Sequence, residues 1–198
     1  MISRVRLGIS CALAAAGLYG LIPNFTRAAF NNGIPPVEVT FFRTSVIAVA
    51  FALIAVLQGE SFRVPRAARL VFAGQAFSTL VISVSYLASV QFIPVGLAVI
   101  IFFTFPVLIM LFSPLVEGRF PGVWRILITV FAFMGLVVAI GPSFGTLDLR
   151  GVGLAVMAAL GGVMQFFTGR SISRYLTPAV FGSLVHIVIW PATLLVAV

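Results

Sequence analysis

Residues 86–120 read YLASVQFIPVGLAVIIFFTFPVLIMLFSPLVEGRF, and no residue from Val95 to Val116 is charged. That run is long enough to cross a hydrocarbon core, which takes about 20 residues of helix. Pro94 opens it, Pro106 interrupts it, and Glu117 and Arg119 close it. A soluble helix of this length would carry a polar face; this one shows only Thr104 and Ser113. The stretch therefore reads as a membrane span with a proline inside it. A proline frees a backbone carbonyl and kinks the helix. A membrane tolerates this where neighbouring helices or a cavity satisfy the freed group.

Composition extends the reading to the whole chain. Of its 198 residues 62% are hydrophobic and 8% charged, against about 25% charged in a soluble domain. The fold class is an all-α, polytopic transmembrane helix bundle. Apolar length gives about seven spans, at residues 7–25, 39–57, 70–92, 95–116, 126–140, 152–167 and 179–198. The fifth and sixth are short, so flanking residues are expected to join them. The loops are too short for an extramembrane domain. Arg4 and Arg6 before an apolar region imitate a signal peptide, but the run continues through Ile22 and further spans follow, so it reads as a retained first helix. Cys11 is the single cysteine, so no intrachain disulfide forms.

The net charge of +8 comes from twelve arginines, without any lysine, against four acids. In a soluble protein it would suggest nucleic acid; here the arginines fall between apolar runs and signal topology. With the N-terminus cytoplasmic, the inner segments hold Arg4, Arg6, Arg63, Arg66, Arg69, Arg119, Arg125, Arg170 and Arg174, and the outer ones only Arg27 and Arg150. The positive-inside rule then places the N-terminus in the cytoplasm.

A faint internal repeat relates residues 7–57 to 152–198. Five helices per copy would set the second copy upside down in the membrane, as in many transporters. The domains expected are a first five-helix repeat at 1–141 and the start of a second, truncated copy at 151–198. Because the chain ends within an apolar run, it reads as a fragment of a longer protein. If it stops at Val198, either two chains complete the path as a homo-oligomer or the chain is a non-transporting membrane scaffold.

A tyrosine (Tyr86), a short turn with Pro94, an apolar helix with central Pro106 and a closing Glu117 resemble the third and fourth helices of an EamA-type permease, of the drug/metabolite transporter superfamily. Tyr19-Gly20 through Arg27, then Pro35-Pro36 and Arg43, resemble that family's first two helices, and Trp124 through Gly141 its fifth. The chain departs from the family pattern in Tyr19, where tryptophan is usual, in the extra Pro114, and in lacking the last three helices. The resemblance implies a secondary transporter of small metabolites in the plasma (inner) membrane, an exporter working by alternating access. It implies no cofactor.

Arg43 lies about a turn and a half into its span, where a charge is costly; it would hold an anionic substrate group or gate the outer side, unless it snorkels or pairs with Glu38. Gln75, Ser78, Thr79, Ser85, Tyr86 and Ser89 recur at helical spacing, a stripe that belongs inside the bundle. Tyr86, Tyr19, Asn24, Gln165 and Thr104 complete the substrate-cavity candidates, with Pro23 and Pro106 as helix-breaking or gating candidates. Gly161-Gly162 permits close backbone approach before Gln165. His186 reads as a hydrogen-bonded interior residue rather than a proton relay.

Gly141 to Gly145 matches G-x-S-x-G, but a nucleophile elbow needs a strand–turn–helix setting and here the match lies between membrane helices. The sequence holds no zinc-binding helix motif, phosphate loop, cysteine cluster or carboxylate pair within a span, so no catalytic or metal residue is assigned. The rivals are an intramembrane enzyme using Ser143 or His186 and a non-transporting or inactive truncated membrane protein.

Overall fold

The computed structural model describes residues 2–34, 36–118, 120–141 and 147–195, and every regular element among them is helical. In chain order these are α1 (Ile2–Asn31), α2 (Pro36–Leu57), α3 (Arg69–Ser89), α4 (Val95–Phe102), α5 (Phe105–Glu117), α6 (Val123–Ile140), α7 (Leu149–Ile172) and α8 (Pro178–Leu195). A single turn of 3-10 helix, Arg66–Ala68, leads into α3. Four described stretches are long and apolar enough to span a bilayer: Arg66–Ser89, Val95–Val116, Val123–Ile140 and Leu149–Ile172. Three shorter apolar helical stretches, Val5–Leu18, Phe41–Leu57 and Pro178–Pro191, accompany them.

The expected span at 95–116 is present but broken into α4 and α5. Pro106 has no amide for the carbonyl of Phe102, so the helical ladder fails there. The chain closes a tighter turn instead, with Thr104 N and Oγ1 donating to Ile101 O at 3.1 and 2.7 Å. The fifth and sixth spans recruit their flanks as expected: α6 starts at Val123, and α7 runs from Leu149 to Ile172. Gly118 ends α5 at φ +67°, a left-handed conformation open to glycine.

Packing centres on α7. It runs antiparallel along α3, with α4 and α5 laid against it, while α2 pairs with α8 and α3 also touches α8. One apolar core, near the start of α3, holds Ala55, Ala68, Ile172, Leu176, Ala179 and Val180. A second, at the opposite end of α7, holds Ile93, Leu97, Ala98 and Ala155. Small residues allow this contact. A Cβ on Gly161 would lie 2.9 Å from Ile82 Cγ1, and one on Gly162 3.0 Å from Phe105 Cγ. Gly182 does the same for α2 against α8, under the ring of Phe51.

The outward surface is apolar. Helix α6 has no buried residue, and α1 exposes Leu7, Leu13 and Leu18. In water such faces would drive association; against acyl chains they are matched to their solvent. The chain is a multi-pass membrane protein in contact with the bilayer.

Candidate polar site between two helices

Two side-chain hydrogen bonds cross from α3 to α7 between the two apolar cores. Thr168 Oγ1 donates to Gln75 Oε1 at 2.5 Å, and Gln165 Nε2 donates to Thr79 Oγ1 at 2.9 Å. Gln75 and Thr79 are one turn apart on α3, and Gln165 and Thr168 one turn apart on α7, so antiparallel packing sets them in register. Gln75 and Ser78 are buried. Thr79 Oγ1 and Ser78 Oγ both return to Gln75 O, at 2.8 and 2.9 Å, so each hydroxyl has an acceptor within its own helix. Gln165 keeps its amide oxygen as an acceptor after donating from Nε2.

Beyond this ladder, toward the second core, Tyr86 meets the break between α4 and α5. Its ring lies 5.4 Å from that of Phe102, which stands 5.4 Å from Phe103 and 5.3 Å from Phe105. Phe105 packs on Gly162, one turn before Gln165. Helices α3, α4, α5 and α7 thus bring Tyr86, Thr104 and Gln165 to one region. Thr104 spends its hydroxyl on Ile101 O.

The other candidates stand elsewhere. Arg43 is exposed on α2, on the side shared with Val46 and Leu53 and away from the buried Thr44, Ala48 and Ala55. No ion pair joins it to Glu38 among the described residues. The side chains of Tyr19, Pro23, Asn24, Arg27 and Glu117 lie outside the described residues, as does Ser143. His186 Nδ1 lies 2.7 Å from Gly182 O, which only accepts, so Nδ1 carries the proton. Among the described residues no cluster of His, Cys, Asp or Glu could hold a metal ion.

Five contacts in and around the bundle escaped sequence reasoning. Thr168 was not singled out, although it lies one turn from Gln165. At one end of α7, Asp148 caps the helix: its Oδ1 accepts from Arg150 N at 2.8 Å, and its Oδ2 pairs with Arg150 Nη2 at 2.8 Å. The Arg150 guanidinium sits 4.7 Å above the Phe92 ring, while Gly151 lies tight against Phe92 and Ile93. Arg150 holds the Asp148 carboxyl below the usual carboxylate range, first through the side-chain hydrogen bond. At the other end, Thr177 donates to Glu60 Oε2, tying the loop after α2 to the start of α8. Trp190 Nε1 donates to Ser45 Oγ at 2.8 Å and so ties α2 to α8 a second time.

An all-helical bundle of apolar spans, with polar side chains of α3 and α7 bonded to one another inside, defines a polytopic membrane protein. Residues 6–141, more than half of the chain, match the EamA-like transporter family, and the chain belongs to that family. No curated protein and no solved structure gives a significant match.

Proposed function

We propose that this chain is a secondary transporter that exports small metabolites across the plasma membrane by alternating access. The observation that carries the reading is the polar ladder of Gln75, Thr79, Gln165 and Thr168, set between apolar cores in a member of a transporter family. Polar side chains at membrane depth face a partner helix or a wet path, and this ladder adjoins Tyr86 and a broken span. In the proposed path Tyr86, Gln165 and Thr104 face the substrate. Tyr19 and Asn24 line its outer part, Arg43 meets it from the face of α2 that this bundle leaves exposed, and Pro23 and Pro106 let their helices bend.

The N-terminus is proposed to be cytoplasmic. Supporting this, α3 and α7 run antiparallel, so Arg66 and Arg69 at the start of α3 share one end of the bundle with Arg170 and Arg174 at the end of α7. Residues 1–141 and 151–198 are proposed as a five-helix repeat and the start of an inverted second copy.

The test is solute counterflow in vesicles carrying the purified chain, with pools of labelled metabolites offered in turn. Accumulation of one solute class above empty vesicles is expected. Correctly inserted protein that moves no pool at all would overturn the reading in favour of a non-transporting membrane protein.

A further inference from the structure

We propose that the bundle end where the start of α3 meets the end of α7 and the start of α8 binds the phosphate headgroup of an anionic phospholipid. The inference stands apart from the transport reading and holds whether or not the chain moves a solute. Two segments supply the charge. Residues 60–69 hold Arg63, Arg66 and Arg69, residues 170–177 hold Arg170 and Arg174, and the one acid among them is Glu60. Basic residues in a short loop signal topology by their number alone. Here the two segments also share one surface.

An apolar core joins them. Ala68, between Arg66 and Arg69, is buried with Ile172, Leu176 and Ala179, and Val64, next to Arg63, packs on the same cluster. The five arginines themselves are exposed. Glu60 forms no ion pair with Arg63, Arg66, Arg69 or Arg174 among the described residues. Its carboxylate accepts from the Thr177 hydroxyl instead. The packed base thus gathers like charges that repel one another and attract an anion.

The apolar neighbours of the arginines narrow the partner to a lipid. Leu70, directly after Arg69, is 85% exposed, and Phe62 and Tyr175, next in sequence to Arg63 and Arg174, are exposed as well. Aromatic rings favour the membrane–water interface, which sets this end of the bundle at headgroup depth and leaves Leu70 to the acyl chains. Free phosphate or a soluble acidic protein would use the guanidinium groups and not these apolar faces. A phospholipid matches both, with phosphate oxygens on the guanidinium forks and its tails along α3.

The test is native mass spectrometry of the full chain released from neutral detergent micelles. The chain is titrated with phosphatidylglycerol or with phosphatidylcholine of the same acyl chains. The first phosphatidylglycerol is expected to bind about tenfold more tightly, a preference that fades when ionic strength is raised. Arg66→Gln/Arg69→Gln should weaken it about 25-fold, about fivefold per arginine, and leave phosphatidylcholine unchanged. Arg66→Lys/Arg69→Lys should stay within about fivefold of the wild type, and Arg150→Gln, at the far end of α7, should match it. Equal binding of the two lipids by the wild type would overturn the proposal. So would unchanged phosphatidylglycerol binding in the glutamine variant, or an equal loss in Arg150→Gln, which would trace the preference to net charge. A third arm uses the wild type alone, so it stands even if the glutamine variant fails to fold: glycerol 1-phosphate at the lipid's concentration should not displace phosphatidylglycerol. Displacement would mark a site for free phosphate and overturn the lipid assignment.

Discussion

Gln165 on α7 donates its amide to the Thr79 hydroxyl on α3 at 2.9 Å, across 86 residues of chain. Such a bond inside a membrane is worth about 0.6 kcal/mol on average, so its loss alone does not unfold the bundle. Gln165→Leu is therefore expected to insert and keep nearly all of its thermal stability in detergent, yet to lose most of its solute flux. Unchanged flux would mean that Gln165 serves only to hold α7 on α3.

Glycines at the helix contacts are expected to rank by the space around them. An alanine Cβ at Gly151 would sit 2.8 Å from both Phe92 Cβ and Ile93 Cγ2. Gly153, two residues on, has nothing within 4 Å. Gly151→Ala should destabilise by about 1–3 kcal/mol through overpacking, and Gly153→Ala should be neutral or slightly stabilising. Melting of the two variants in the same detergent checks the order.

Arg43→Ala should reduce transport and leave insertion intact, because removing a charge from a span lowers the cost of placing it there. Arg43 is exposed and forms no ion pair with Glu38 among the described residues. Protease protection of the loops reports insertion, and counterflow reports transport. Wild-type flux in this variant would make Arg43 a structural residue.

Acid is expected to loosen the start of α7. The Asp148 carboxyl is held below its ordinary range by Arg150. The folded state thus prefers the carboxylate, and this contribution is complete above the ordinary aspartate pKa of about 3.9. It is lost as pH falls through the lower folded value. Hydrogen exchange of the amide of Arg150, relative to the middle of α7, should speed up only below about pH 4. Asp148→Asn should abolish that pH dependence.

Much of the bundle was legible because a membrane writes its demands in apolar length. The seven apolar runs and the recruitment of flanks by α6 and α7 followed from hydropathy and from Pro and Gly positions alone. Pro106 announced a kink, and the structure makes it a full break at Phe103 and Thr104. The polar stripe of α3 was visible from its spacing, but its partner was not. Periodicity tells which face of a helix is buried and nothing about which helix covers it, so Thr168 gave no signal until α7 lay against Gln75. Arg150 read as a topology marker, since its stacking on Phe92 depends on a turn and a helix start distant in sequence.

The segment that matches the family, residues 6–141, contributes α2 and α3, yet the helices along which these two pack, α8 and α7, follow it in the chain. During synthesis α2, α3, α4 and α5 would thus enter the bilayer before their main partners, α7 and α8, exist. They would wait there in loose contact, each stable by its own backbone hydrogen bonds. The main packing would form when α7 emerges and engages Gln75 and Thr79. A ribosome halted at Gly141 would leave a protein fully inserted and scarcely folded, a ready substrate for membrane proteases.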